Sequence, residues 1–133
     1  NDVYGHASGD AVLTETARRL RNAVRNTDVV ARMGGEEFLV AMPATDAHAA
    51  RSLAHRMCDA IGSMPFSIPG AHKPVPITIS LGLAIGTQHQ CSAIRKPESV
   101  DALLDRADKA LYGAKMQGRN RVTLSAPHTR PAA

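Results

Sequence analysis

The sequence predicts an α/β domain in which helices pack against one sheet. Three segments carry apolar residues at helical spacing, β-type segments lie between them, and the order along the chain is αββαβ(β)αβ. The composition, 44% apolar and 21% charged over 133 residues, is that of an ordinary globular domain. We therefore expect an α/β sandwich whose sheet is largely antiparallel around a hairpin.

Apolar stripes and capping residues mark the three helical segments. In the first, Leu13, Ala17 and Leu20 share one face, because residues three or four apart along a helix are neighbours. Ser, Thr and Asp are favoured at helix starts, and glycine is favoured just after helix ends. The segments run from Ser8 to about Arg25, from Thr45 or Asp46 to Gly62, and from Ser99 to Gly118.

Four strands are predicted from apolar and β-branched residues. They are Val29 to Met33, Phe38 to Met42, Ile77 to Ile85, and a short strand at Arg121 to Leu124. The first two form a hairpin, and small residues such as Gly82 on the second face of the third strand suggest that this face also contacts another element. The proline-rich loop at 64–76 cannot be regular throughout, and the tail at 125–133 is expected to be disordered.

Charge and cysteine content narrow the class of protein. The net charge of +4 fits acidic partners such as phosphates, but 3% aromatic content leaves few stacking platforms, so we expect no nucleic acid partner. Cys58 and Cys91 show no pairing or metal-ligand spacing, which indicates a reduced, cytoplasmic setting. We expect neither a membrane span nor a signal peptide in the chain.

The predicted hairpin carries two glycines followed by two carboxylates. Gly34 and Gly35 let backbone approach a phosphate closely, while Glu36 and Glu37 offer hard oxygen ligands to Mg²⁺. The alternative is a type I′ turn with exposed acids and no chemistry. These four residues alone leave both interpretations open.

Five ordered blocks of sequence add to this motif. They are NDVYGHASGD at 1–10, RNTD at 25–28, RMGGEEF at 32–38, ISLG at 79–82 and ADKALYGAKMQGRN at 107–120. In order and spacing they resemble the GGDEF family of diguanylate cyclases, with Glu36 where many members have Asp. The resemblance covers residues 1–124 and implies a palm-type, ferredoxin-like fold.

The resemblance implies that two GTP molecules are condensed into cyclic di-GMP with release of pyrophosphate. Two facing protomers each present one GTP, so a homodimer and Mg²⁺ or Mn²⁺ are implied. Glu36 would bind the metal and accept the hydroxyl proton, and Gly34 and Gly35 would lie against the phosphates. Glu37 is grouped with these catalytic residues without a defined role.

Five further residues match substrate-binding positions of the family: Asn1, His6, Asp10, Lys115 and Arg119. Asn1 and Asp10 would read guanine, and His6 lies in the same region. Lys115 and Arg119, four apart and so expected on one side of the last helical turn, would bind the triphosphate. The alternatives are that Asp10 stabilises the first helical turn, that His6 only packs or hydrogen-bonds, and that the basic pair is a solvated helix end.

A second, inhibitory site for cyclic di-GMP is implied by the R-x-x-D motif of Arg25 and Asp28, with Arg56 as a supporting arginine. Arginine forks suit phosphate, and a carboxylate can read guanine. Alternatively, Arg25 complements the end of its helix and Asp28 caps a turn.

In the family, a helix and a central strand precede Asn1, and that segment supplies a metal-binding aspartate, a phenylalanine and a lysine. We therefore expect the first central strand to be absent from this chain, which alone would be unstable and inactive. The parent protein would carry an upstream regulatory domain, and other domains could attach it to a membrane. Two other functions stay open: a silent module that senses cyclic di-GMP or GTP, and a regulatory dimerisation domain.

Overall fold

The computed structural model describes residues 5–86 and 98–127, and in this part of the chain it contains three helices and four strands. The elements are α1 (His6–Ala23), β1 (Val29–Gly34), β2 (Glu37–Ala41), α2 (Ala47–Gly62), β3 (Leu81–Leu83), α3 (Val100–Met116) and β4 (Val122–Leu124). They belong to two compact units, Asn1–Ile79 and Ser80–Ala133. No helix in the described ranges is long and apolar enough to cross a bilayer.

The predicted helix caps are confirmed for α2 and α3. The Asp46 carboxylate accepts the Ala49 N–H at 2.8 Å, and the Ser99 hydroxyl accepts the Ala102 N–H at 3.1 Å, so each satisfies an amide that has no partner within its helix. The first helix starts earlier than predicted, at His6, and its N-cap is Gly5 with φ 86° and no side-chain cap.

In the first unit, β1 and β2 form the predicted antiparallel hairpin, paired from Val29 with Ala41 to Gly34 with Glu37. The two turn residues are Gly35 and Glu36, one position later than predicted, because Gly34 still pairs within the ladder. A type I′ turn is wrong for this hairpin. It needs positive φ at both central residues, and only Gly35 has one, at 53°.

The core of the first unit lies between α1 and α2 and extends into the loop after α2. Its buried apolar side chains are those of Leu20, Ala23, Val24, Ala50, Leu53, Ala54, Met57, Cys58, Ile61, Phe66 and Ile68. Phe66 is 1% exposed and pairs with Val75 through two 2.8 Å backbone hydrogen bonds. The proline-rich loop is irregular, as predicted, yet burying this ring contributes roughly 1.5–3 kcal/mol.

Arg19 of α1 connects the end of α2 to this loop. Its guanidinium donates to four backbone carbonyls, those of Ala60, Ile61, Met64 and Pro65. It also lies 4.0 Å from the centroid of the Phe66 ring, and its Nε donates to the Glu15 carboxylate at 2.8 Å. The last carbonyls of a helix have no donors within the helix, so Arg19 supplies donors that α2 lacks.

In the second unit, β3 and β4 are parallel, with Leu81 opposite Val122 and Leu83 opposite Leu124. The predicted strand from Ile77 to Ile85 is therefore too long. Alternation of residue types predicts extended backbone, but a strand also needs a hydrogen-bonded partner, and β4 pairs with three residues only. The last strand starts one residue later than predicted.

Helix α3 packs on these two strands and buries Leu83, Ala110 and Ala114. The prediction that the small-residue face of this strand contacts another element is confirmed, because Gly82 lies directly against the α3 backbone. Of the two cysteines, Cys58 is a free, buried thiol in α2. Cys91 and the tail from residue 128 onward lie outside the described residues.

Replacing Arg19 by Met is expected to lower the free energy of unfolding by about 2 kcal/mol, because it removes donors from four backbone carbonyls and a cation from the buried Phe66 ring. Arg18→Met is the matched control: Arg18 bonds the same Glu15, but its side chain is 60% exposed, so the expected change is within about 0.5 kcal/mol. Urea unfolding of the protein that carries this chain measures both. Equal losses would contradict the role of Arg19.

Candidate functional site

The tip of the hairpin presents backbone and carboxylates to solvent. Residues Gly34 to Glu37 are all exposed, and Gly34 and Gly35 have φ of 143° and 53°, which side-chain-bearing residues rarely adopt. A Cβ atom built on either glycine would meet no atom within 4 Å. The glycines are thus needed for backbone conformation, and the space beside them is open to a ligand.

Arg32 forms hydrogen bonds across the tip of the hairpin, and sequence reasoning did not identify it as a site residue. Its Nε and Nη2 atoms donate to the Gly35 carbonyl at 2.9 and 2.7 Å. An arginine three residues before the turn glycine was the available signal, since that spacing lets a β1 side chain reach across the turn. Arg32 therefore belongs to the hairpin site as a residue that orients the Gly35 peptide.

The hairpin carboxylates fit a magnesium site in part. Glu36 and Glu37 are exposed carboxylates, and Mg²⁺ is commonly bound through one or two carboxylates together with substrate phosphates. Within residues 5–86 and 98–127, no three His, Cys, Asp or Glu side chains group closely enough to hold a metal. In this part of the chain, the hairpin can therefore supply carboxylate ligands but not a complete protein cage.

His6 and Asp10 are exposed side chains of α1, four residues apart and so on the same helical face. The alternative interpretation of Asp10 as a first-turn acid is wrong, because α1 begins at His6 and its first turn contains no acid. The third residue predicted for this region, Asn1, lies outside the described residues.

Lys115 lies in the last turn of α3, but Arg119 does not, so the expectation that both occupy the last helical turn is wrong. The helix ends in a Schellman motif: Gly118 has φ 116°, its N–H bonds the Lys115 carbonyl, and the Arg119 N–H bonds the Ala114 carbonyl at 3.0 Å. This motif, rather than helical periodicity, determines the position of the Arg119 backbone from which the side chain extends.

Arg119 and Asn120 follow this motif with φ of 63° and 47°. For residues with a Cβ atom, left-handed backbone costs roughly 1–2 kcal/mol each. Strain of this kind concentrates at functional sites. The strained residue Arg119 carries an exposed cation.

The structure brings Arg25 and Asp28 together just after α1. The Asp28 carboxylate accepts three hydrogen bonds from Arg25: from Nη2 at 2.9 Å, from Nε at 3.2 Å and from the backbone N–H at 2.8 Å. The Asp28 side chain is 0% exposed and that of Arg25 is 41% exposed. Asp28 thus caps the turn, as the alternative interpretation expected, while Arg25 remains open to solvent.

Arg56 reaches the same segment from α2. Its Nε donates to the Ala23 carbonyl at 2.8 Å, and the residue is exposed. Arg21 donates to the Arg25 carbonyl at 2.7 Å and to the Asp28 carbonyl at 2.5 Å. The three residues predicted for the inhibitory site therefore all form hydrogen bonds at or just after the end of α1, with Arg21 as a supporting residue that sequence reasoning missed.

The Arg25 hydrogen bonds hold the pKa of Asp28 below its ordinary value, although burial opposes this shift. A carboxylate that is ionised, buried and bonded on both oxygens is a rigid support. It orients the Arg25 guanidinium, whose Nη2 also contacts the Thr45 hydroxyl and the Pro43 carbonyl.

Comparison with known proteins gives one consistent family. The family model described as "Diguanylate cyclase, GGDEF domain" matches residues 1–121. Diguanylate cyclase A of Treponema denticola is 43% identical over 94% of this chain and 31% of its own length. Diguanylate cyclase DgcP of Pseudomonas aeruginosa is 42% identical over 94% of this chain and 17% of its own length. The chain thus spans a third or less of these two curated relatives.

Solved structures agree. The GGDEF domain of DgcB from Caulobacter crescentus, solved in complex with c-di-GMP, superposes with a TM-score of 0.80 at 32% identity, covering 93% of this chain and 68% of that one. The active GGEEF domain of a diguanylate cyclase from Vibrio cholerae gives 0.79 at 27% identity, covering 96% and 75%. These neighbours confirm the predicted palm-type α/β fold.

Asp28→Asn is expected to lower the free energy of unfolding at pH 7 by about 1–3 kcal/mol, because the charge-assisted bonds to Arg25 are lost. Since the pKa of Asp28 is lowered on folding, its contribution is fully present above the ordinary value of 3.8 and is lost as pH falls through the folded pKa. The difference between wild type and variant should therefore shrink below about pH 4.

Urea unfolding at several pH values measures this difference in the protein that carries the chain. The control is Asp105→Asn, which removes a carboxylate from an ion pair whose members are 61% and 77% exposed, and which should change stability by less than about 0.5 kcal/mol. A pH-independent loss for Asp28→Asn would contradict the assignment.

Proposed function

We propose, because this chain belongs to the GGDEF family of diguanylate cyclases, that the protein carrying it condenses two GTP molecules into cyclic di-GMP and pyrophosphate. One observation carries the proposal: an open glycine backbone at Gly34 and Gly35 lies beside the exposed carboxylate of Glu36. Phosphoryl transfer needs positioned phosphates, a hard metal ion and a proton acceptor, and this tip offers groups for each.

In the reaction, the 3′-hydroxyl of one GTP attacks the α-phosphorus of the other. A new P–O bond forms, the bond from the α-phosphorus to the bridging oxygen breaks, and pyrophosphate leaves with that oxygen. Glu36 accepts the hydroxyl proton, and the Gly34 and Gly35 peptides lie along the phosphates, with Arg32 orienting the second peptide. Mg²⁺ or Mn²⁺, held by Glu36 and substrate phosphates, would neutralise charge on the phosphates.

Substrate recognition follows from donor and acceptor chemistry. Guanine offers N1–H and N2–H₂ donors, which suit the Asp10 carboxylate, and Asn1 would complete the contact beside His6. Lys115 and Arg119 supply two cations to the triphosphate. The strained backbone at Arg119, with φ 63°, supports a functional role for this side chain.

The chemistry requires a homodimer. Each GTP supplies a nucleophile and a leaving group, so two hairpins must face each other to close the ring in two equivalent steps. The relatives are longer than this chain, and SiaD of P. aeruginosa was solved with its activator SiaC. We propose that, in the protein carrying this chain, an upstream regulatory segment controls when two protomers meet.

We further propose that cyclic di-GMP inhibits the protein at the end of α1. Arg25 presents an exposed guanidinium, oriented by the buried Asp28, and Arg56 reaches the same segment. Guanidinium forks match phosphate oxygens and guanine acceptors. The DgcB domain of C. crescentus was solved with c-di-GMP, which supports product binding in a relative.

The second candidate is a module that senses cyclic di-GMP or GTP without turnover. The Arg25, Asp28 and Arg56 contacts favour it, because they involve no atom of the hairpin tip and would persist if catalysis were lost. Product formation from GTP separates the two functions.

Glu36→Gln in the full-length protein is expected to lower cyclic di-GMP formation at least about a hundredfold, because an amide neither accepts the proton nor matches a carboxylate as a ligand. Incubation with GTP and Mg²⁺, followed by chromatography, measures product. Asp105→Asn is the control carboxylate-to-amide change and should leave the rate unaltered. Equal product from Glu36→Gln would remove the metal and base assignment.

Arg25→Ala should abolish the binding of cyclic di-GMP measured by calorimetry on the full-length protein, because it removes the exposed fork of the inhibitory site. The control is Arg51→Ala, another exposed arginine, in α2, which should bind the dinucleotide as wild type does. Unchanged affinity in Arg25→Ala would refute this site.

A further inference from the structure

The position of α3 decides where Lys115 and the residues after it project, because Lys115 lies in the last turn of this helix. Residues that fix α3 on β3 and β4 therefore act on the phosphate-binding pair without touching a ligand. The inference below rests on the proposed function, in which Lys115 and Arg119 bind the triphosphate.

The first fixed point is Gly82, the middle residue of β3. A Cβ atom at this position would lie 2.2 Å from the Ala107 carbonyl oxygen, 2.3 Å from the Leu111 nitrogen and 2.8 Å from the Leu111 Cα. All three are backbone atoms of α3, so no side-chain rotation could relieve the overlap. Gly82 does not have a positive φ, so glycine is required here for space rather than for conformation.

The second fixed point is Arg106, one residue before Ala107. Its Nη1 donates to both Glu98 carboxylate oxygens at 2.9 Å and to the Ile85 carbonyl at 3.1 Å, and its Nη2 donates to the Ala126 carbonyl at 2.9 Å. The Arg106 and Glu98 side chains are 13% and 3% exposed. One guanidinium thus connects α3 to the segment before it, to the residues after β3 and to the residues after β4.

The two contacts restrain different motions. Backbone contact at Gly82 sets the distance of α3 from β3, while Arg106 opposes sliding of α3 along the strands. Leu111, which touches Gly82, lies four residues before Lys115, so about one helical turn separates the contact from the cation. The Schellman motif then joins the helix end to Arg119, whose N–H bonds the Ala114 carbonyl.

We propose that Gly82 and Arg106 are positioning residues for the triphosphate, which hold Lys115 and Arg119 where the phosphates bind. A methyl group at position 82 must move α3 outward, and displacements near 1 Å can cost about a hundredfold in a positioned site. In the proposed function the guanine is bound by Asn1 and Asp10 rather than by this pair, so binding of the guanosine end of the substrate should be spared.

The test uses the full-length protein and two ligands: guanosine 5′-(α,β-methylene)triphosphate with Mg²⁺, in which the bond that breaks is blocked, and GMP, which lacks the outer phosphates. Calorimetry measures the triphosphate and NMR titration measures the weaker GMP. Gly82→Ala and Arg106→Lys should each weaken triphosphate binding roughly ten- to hundredfold while changing GMP binding less than about threefold.

The matched control is Gly113→Ala on α3, where a Cβ atom would meet Thr123 Cγ2 at 3.7 Å, an ordinary contact. It should leave both affinities unchanged.

Lys115→Ala reports on the proposed phosphate site itself. Unchanged triphosphate binding in this variant would refute the phosphate role of Lys115 and the inference with it.

If Lys115→Ala weakens the triphosphate but folded Gly82→Ala and Arg106→Lys bind it as wild type does, the inference alone is wrong. An equal loss of affinity for the triphosphate and for GMP in the two variants would mean general destabilisation of the protein, and it would also overturn the inference. Circular dichroism checks folding. Should Gly82→Ala fail to fold, Arg106→Lys decides between these outcomes.

Discussion

Arginine side chains that donate to backbone carbonyls stabilise the ends of helices and strands in both units. Arg19 bonds the carbonyls that end α2, Arg56 bonds the Ala23 carbonyl at the end of α1, and Arg106 bonds the carbonyls of Ile85 and Ala126. Carbonyls at such ends have no donors within their own element. In this chain guanidinium groups satisfy them, and those of Arg19 and Arg106 each reach several acceptors.

This use of arginine changes the meaning of the net charge. A charge of +4 fits acidic partners, yet several of the cations, such as Arg19 and Arg106, are committed to internal carbonyls and to Glu15 or Glu98. The positive residues proposed for ligands are distinguished by other features: Arg25 is exposed but oriented by a buried carboxylate, and Arg119 occupies strained backbone. Charge count alone would not separate the two groups.

Each of the proposed ligand positions combines an exposed group with a residue that supports it. At the hairpin, Gly34 and Gly35 present bare backbone, and Arg32 holds the Gly35 carbonyl. At the end of α1, Asp28 is buried beneath Arg25. Under α3, Gly82 permits contact between two backbones that any side chain would separate. In each place a buried or backbone-bonding residue restrains a group that is proposed to face a ligand.

The sequence alone determined the local features. Capping by Asp46 and Ser99, the hairpin, the end of α3 at Gly118 and the motif blocks all depend on neighbouring residues, so spacing and residue type suffice to predict them. Only the tertiary structure decided what distant residues do. The long predicted strand shortened to Leu81–Leu83 because its partner is short. Gly82 lies against the Leu111 backbone, and the sequence could not show this because contacts between residues far apart along the chain follow no fixed spacing. The bond from Arg32 to the Gly35 carbonyl is local, but it depends on the geometry of the folded turn.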